Sequence, residues 1–263
     1  MSSRFGKRVQ RLIDRVRGKA RYSDPADRFS ARPDDPRRLR DAAGTLAQIF
    51  YTHEGRIAHK WDHYLPIYER HFRARPASGQ PVRLLEIGVS RGGSLQLWRK
   101  YFGDSARIVG IDIDPDCAGR VDPGTEVIVG DQSDPHCLSA AVERLGGGVD
   151  IVVDDGSHLG RHQIATFDYL FPRLSDHGLY YCEDVFGAYW PEYEGGYRRE
   201  GTFIEYGKTL VDRLNAWFLE EPLKSEFLDF ARATHGIFFY PGIIVIEKRP
   251  MREPFHVQIG EGA

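Results

Sequence analysis

The chain has 263 residues, 41% of them hydrophobic and 28% charged, with a formal net charge of −2. That balance suits one large folded domain with its own core and argues against wholesale disorder. The near-neutral charge gives no general case for a nucleic-acid partner. No run of 18 apolar residues occurs, which excludes a helical membrane span.

The charge is unevenly spread. Residues 1–40 hold 13 Lys and Arg against 5 Asp and Glu, so the remainder is acidic. Val9, Leu12, Ile13 and Val16 recur at i, i+3, i+4, i+7 and predict a basic helix with one apolar stripe. Packing on its own domain or on a neighbouring subunit outweighs a membrane-surface role for so short a stripe. The opening MSSRFGKRVQRLIDRVRGK lacks the apolar core of a secretory signal. Cys117, Cys137 and Cys182 are an odd count with no Cys-x-x-Cys pair, against a disulfide framework or a zinc site. A cytoplasmic protein is expected.

In chain order, 22–38 is a linker rich in Pro, Asp and Arg, and 39–51 is helical. Residues 56–73 carry aromatic and apolar residues at helical spacing, broken near Pro66, and RPASGQP follows as a breaker. Strands are predicted at 82–87, 107–112, 125–129, 149–154 and 179–183, with helices near 93–102, 135–145 and 160–174 between them. This alternation predicts βαβ units and a parallel sheet covered by helices on both faces. Residues 185–200 are aromatic and glycine-rich without a period, as in a functional loop or lid. A helix over 202–219 and two strands in 235–249, turned at Pro241-Gly242, complete an α/β fold with a seven-stranded, mostly parallel sheet and an antiparallel C-terminal hairpin. The expected organisation is a basic helix and linker in 1–40, the main domain in 41–250 and a tail in 251–263.

The loop after the first strand reads Glu86-Ile87-Gly88-Val89-Ser90-Arg91-Gly92-Gly93-Ser94. Ligands of open parallel sheets sit at such strand ends. The dinucleotide fingerprint G-x-G-x-x-G is absent, because position 90 is Ser, which weakens an NAD-dependent oxidoreductase reading. An acid at Glu86 repels a pyrophosphate and favours a cationic ligand. S-adenosylmethionine, with its sulfonium and ammonium, fits. Asp112 ends the second strand, where a carboxylate accepts both ribose hydroxyls, and Asp131 follows the third, where it accepts from an adenine amino group. The expected cofactor set is Glu86, Gly88, Ser94, Asp112, Asp131, Gln132 and Asp154, with Asp154 ranked lowest.

Strand four ends in Asp154-Asp155-Gly156-Ser157-His158, and strand five in Glu183-Asp184. Asp155, Glu183 and Asp184 are expected to meet and hold Mg²⁺, since like charges left unpaired would force a proton onto one of them. His158, with an ordinary pKa of about 6.5, suits a general base. His162 is expected to pack structurally. Tyr189, Trp190, Tyr193 and Tyr197 are expected to stack on pyranose faces, the alternative being a satellite core.

LLEIGVSRGGSL, DDGSHLGRHQ, LFPRLSDHGLYYCEDVFGAYW and TFIEYGKTLVDRL together resemble the metal-dependent sugar O-methyltransferases, including the macrolide and rhamnosyl enzymes and similar proteins labelled cephalosporin hydroxylase-like. HKWDHYLPIYERHF is similar to that family's helix before the first strand. The resemblance spans about residues 50–248. It implies a Rossmann-like class I methyltransferase fold, S-adenosylmethionine and Mg²⁺, metal ligands at Asp155, Glu183 and Asp184, a base at His158 and a sugar-containing acceptor. Polymethylated polysaccharides of actinobacteria are a further acceptor class. A Mg²⁺-dependent catechol or phenol O-methyltransferase and a non-catalytic cofactor-binding module are the alternatives. A homo-oligomer is expected.

Overall fold

The computed structural model describes residues 44–73, 81–220 and 225–260. The expected basic helix and linker of 1–40 lie outside the described residues. The strands are β1 (Arg83–Ile87), β2 (Arg107–Asp112), β3 (Thr125–Val129), β4 (Val149–Asp154), β5 (Leu174–Cys182), β6 (Thr234–Tyr240) and β7 (Ile243–Lys248). They form one sheet in the order β3-β2-β1-β4-β5-β7-β6. The first five run parallel, and β7 is antiparallel to both β5 and β6.

Strand alternation builds the core on both faces. Leu85, Val152, Tyr180 and Ile246 point to the side covered by α4 (Pro135–Arg144), α5 (Gly160–Leu170), α6 (Phe203–Leu214) and α7 (Ser225–Ala233). Leu84, Ile151, Val153, Tyr181 and Val245 point to the other side, against α1 (Thr45–Tyr51), α2 (Leu65–Phe72) and α3 (Gly93–Phe102). β4 is buried along almost its whole length, as a central parallel strand requires.

The differences from the expected elements have local causes. Pro66 does not break a helix: it sits in the first turn of α2, where a missing N–H costs nothing. The helix expected to reach 174 ends at Leu170 and tightens into a short 3₁₀ turn over Phe171–Arg173, where Pro172 has no N–H to continue the helical hydrogen bonds. The chain then re-enters the sheet at Leu174, five residues earlier than expected. α6 stops at Leu214, and a separate short turn covers Ala216–Phe218. α7 runs straight into β6 with no Gly or Pro between them, which left it unread in the sequence. No helix among the described residues is long and apolar enough to cross a membrane.

Asp150, polar within β4, is answered by Arg83 on the neighbouring strand. The guanidinium donates from Nε (3.1 Å) and Nη2 (2.8 Å), and the Arg83 backbone N–H donates at 2.9 Å. Burial pushes the Asp150 carboxyl up, but the hydrogen bonds from Arg83 and Ser175 outweigh it and hold the group below the usual aspartate range. A lowered pKa stabilises the fold above the unfolded value and is lost as the pH falls through the folded one. Asp150→Asn is therefore expected to cost about 1–3 kcal/mol at pH 7. The deficit relative to wild type should shrink below about pH 4. Urea unfolding at both pH values measures this; an equal deficit at both would contradict it.

Candidate active site

β1 lies between β2 and β4, so the chain leaves its central strand in opposite directions and opens a crevice at the carboxyl ends. The register fixes what meets there. Ile87 is level with Asp154, and Asp154 with Cys182. The Asp155 N–H donates to the Ile87 carbonyl and the Glu183 N–H to the Asp154 carbonyl, each at 2.9 Å. Asp155 and Glu183 thus emerge side by side.

Two clefts adjoin at this edge. One, of about 170 Å³, is lined by Ile87, Ile111, Ile113, Asp131, Gln132 and His162 among others. The second, of about 340 Å³, is more polar and reaches Lys60, Trp61, Ser94, Asp155, His158, Glu183 and Asp184. Gly88, Asp112 and Gly156 border both. Asp112 is held in place by backbone N–H groups of Val89, Ser90 and Asp114, each at 2.8 Å, so its carboxylate stands fixed at the junction.

The three carboxylates come together, with a cation inserted among them. Lys60, from the segment before α2, places Nζ 2.6 Å from Asp155 Oδ2 and 2.9 and 3.0 Å from the two Glu183 oxygens. It is 3.9 Å from Glu86 Oε1. Burial opposes the charge on Lys60, yet Asp155, Glu183 and Glu86 outweigh it and hold the ammonium above its ordinary pKa. Glu183 also accepts a hydrogen bond from the Tyr68 hydroxyl. Burial and the neighbouring Asp155 nonetheless push Glu183 well above the usual glutamate range. Asp184 is raised too, by burial and Asp155, while His158 opposes the shift. The Tyr64 hydroxyl lies 2.9 Å from Asp184 Oδ1.

His158 and Asp184 both have left-handed backbone, with φ of 58° and 51°. Such strain in non-glycine residues persists only where the surroundings enforce it, and here it turns both side chains toward Asp155. Ligand atoms of Asp155, His158 and Asp184 lie within 4.8 Å of one another, the span of a single divalent ion's shell. His158 Nε2 is 3.9 Å from Asp184 Oδ2, and its buried Nδ1 has no hydrogen-bond partner. A ring with one buried nitrogen unpartnered and the other facing Asp184 fits a site that takes a ligand. Glu183 faces the same cleft but is engaged by Lys60 and Tyr68.

Above His158 runs an aromatic rim. The Tyr193 ring packs edge-on against His158 at 5.6 Å, and Trp190, Phe186 and Trp61 continue the chain of ring contacts. Tyr189 and Tyr197 stand exposed. The expected lid residues thus divide: Tyr193 packs on His158 and Trp190 on Tyr193, while Tyr189 and Tyr197 reach solvent.

Of the expected cofactor set, Gly88, Asp112, Asp131 and Gln132 line the smaller cleft, and Ser94 the larger. Glu86 is fully buried behind Ser94, whose hydroxyl donates to it at 2.8 Å. Burial pushes Glu86 up to about 7. Asp154 is fully buried and accepts from Gln132 (3.0 Å) and the Tyr180 hydroxyl (2.7 Å), which places it beneath the clefts as a brace. His162, expected to pack away, reaches the smaller cleft and lies 2.9 Å from the Ser157 hydroxyl. Lys60, Tyr64 and Tyr68 were missed. The one signal for Lys60 was an excess of acids at the strand ends with no Lys or Arg paired to them.

Residues 57–180 match the FtsJ-like methyltransferase family. The MycE methyltransferase, solved in complex with Mg, SAH and mycinamycin VI, superposes with a TM-score of 0.65 at 32% identity, covering 78% of this chain and 53% of that one. The fold is that of a Rossmann-like methyltransferase. Curated relatives of this methyltransferase fold include the 8-demethyl-8-alpha-L-rhamnosyl tetracenomycin-C 2'-O-methyltransferase of Streptomyces olivaceus, 35% identical over 71% of this chain and 50% of its own length. The demethylmacrocin O-methyltransferase of Streptomyces fradiae is 36% identical over 70% of this chain and 48% of its own length. The chain spans about half the length of the curated relatives it matches.

Proposed function

We propose that the chain transfers a methyl group from S-adenosylmethionine to a sugar hydroxyl, on a glycoside or a polysaccharide chain. The observation that carries this reading is the cluster of Asp155, His158 and Asp184 within one ion's reach, opening on a cleft bordered by Asp112. The sugar O-methyltransferase relatives and the Mg and SAH held by MycE support it.

The adenine would lie in the smaller cleft between Ile113 and Asp131, with ribose hydroxyls on Asp112 and the cationic methionine end beside Ser94 and the carboxylates. Asp155, Glu183 and Asp184 would hold Mg²⁺ at the rim. A divalent ion bound there lowers the hydroxyl's pKa and orients it. His158 takes the hydroxyl proton onto its imidazole, and Asp184 stabilises the resulting cation. S-adenosylmethionine bound there would supply the methyl group, the new C–O bond forming as its C–S bond breaks to leave a neutral thioether, with the hydroxyl proton held on His158. The rim of Tyr193, Trp190 and Trp61 supplies flat apolar faces for a pyranose and keeps water from the methyl group.

Titration calorimetry tests donor binding. S-adenosylhomocysteine should bind and NAD should not. Asp112→Ala should weaken S-adenosylhomocysteine by roughly tenfold or more, the worth of hydrogen bonds to a charged group. Binding of NAD in preference, or an Asp112→Ala chain that binds S-adenosylhomocysteine like wild type, would contradict the assignment.

A further inference from the structure

The smaller cleft carries a polar side chain that methyl transfer as derived above leaves without a task. Of the groups that line it, Gln132 and Ser157 are spent within the chain. Gln132 Nε2 donates to Asp154 (3.0 Å) and Thr166 (3.2 Å), and its Oε1 accepts from the Ser157 N–H at 2.7 Å. The Ser157 hydroxyl accepts from the Leu159 N–H (3.3 Å) and meets His162 Nδ1 at 2.9 Å. Asp131 and His162 keep capacity to spare. Asp131 accepts from the Ser133 N–H and hydroxyl, each at 2.7 Å, and both bonds fall on Oδ1. Those bonds, with His162 and Arg161 nearby, hold the carboxyl below the usual aspartate range, so Oδ2 is a standing acceptor.

Ser157 fixes what His162 offers. A hydroxyl has one hydrogen and two lone pairs. The Leu159 N–H takes one lone pair, and the acceptor that the hydrogen meets is His162 Nδ1. That places the ring proton of a neutral His162 on Nε2, the nitrogen left for a ligand, and a protonated ring carries a hydrogen there as well. In either state the cleft pairs an acceptor, Asp131, with a donor, His162. Adenine is complementary to that pair: its amino group donates, and the ring nitrogens that flank it, N1 and N7, accept. We propose that His162 is a specificity-determining residue of the donor site, its Nε2–H donating to a ring nitrogen of the adenine whose amino group donates to Asp131. The proposal rests on the reading of this cleft as the adenine site. Hypoxanthine, with a carbonyl in place of the amino group, sets an oxygen against the Asp131 carboxylate and is disfavoured.

The test is titration calorimetry of the full chain, without turnover. The probes are S-adenosylhomocysteine and its two analogues in which carbon replaces N1 or N7. Wild type should lose about tenfold in affinity for one of the two analogues, the worth of a hydrogen bond whose donor is left unpaired. His162→Phe keeps a ring in place and removes the donor. It should bind S-adenosylhomocysteine about tenfold more weakly than wild type, and bind that same analogue no more weakly than S-adenosylhomocysteine. A His162→Phe chain that keeps the wild-type preference overturns the proposal. The wild-type titrations decide even if that variant does not fold: equal affinity for S-adenosylhomocysteine and both analogues removes the role of His162 and leaves the adenine reading intact. Failure of wild type to bind S-adenosylhomocysteine at all removes the adenine reading, and the proposal with it.

Discussion

Gly88→Ala should destabilise the fold by about 2–5 kcal/mol or more. Gly88 has φ of +89°, and a Cβ there would stand 2.0 Å from the Asp155 carbonyl oxygen, backbone against backbone. The left-handed conformation alone costs an alanine about 1–2 kcal/mol. Forcing the two loops apart adds roughly 1–3 kcal/mol or more. The sum is a large part of a typical domain's stability of about 5–15 kcal/mol. Gly103→Ala is the matched control: its φ is +82°, but nothing lies within 4 Å of its would-be Cβ. Urea unfolding of the two variants separates backbone preference from collision. Equal losses would show that the approach of the Gly88 and Asp155 loops is not what demands glycine.

His158→Ala should retain the fold and lose about 10²–10⁴-fold in methyl transfer, the range for a positioned general base. His158 packs against Tyr193 and faces Asp184 but makes no hydrogen bond that holds elements together, so its melting temperature should move little. Partial recovery at high pH, where solvent takes the proton, is expected of a lost base. S-adenosylhomocysteine affinity should not change. A wild-type rate at pH 7 would remove His158 from the chemistry.

Much of this architecture was legible because the signals were local. The five parallel strands followed from short apolar runs such as Leu84–Ile87 and Ile151–Val153, and the hairpin from Pro241-Gly242 between two β-branched and aromatic runs. Placing Asp112, Asp155 and Glu183 at one edge needed only the rule that neighbouring parallel strands end together. What escaped was non-local. Lys60 reaches its carboxylates across 95 and 123 positions, and no periodicity in HKWDHY announces that contact. Strand pleating turns Glu86 and Asp154 inward: Ser94 donates to Glu86, whose other oxygen has no hydrogen-bond partner among the described residues, and Tyr180 donates to Asp154. The left-handed turns at His158 and Asp184 likewise come from tertiary packing, since neither residue is a glycine.

The most direct test is transfer of a labelled methyl group from S-adenosylmethionine to a panel of rhamnosides and other glycosides, with catechol as a control, in Mg²⁺ and in EDTA. The carboxylate and histidine site predicts label on a sugar hydroxyl in Mg²⁺ and its loss in EDTA. Undiminished transfer in EDTA, or label on catechol alone, would contradict it.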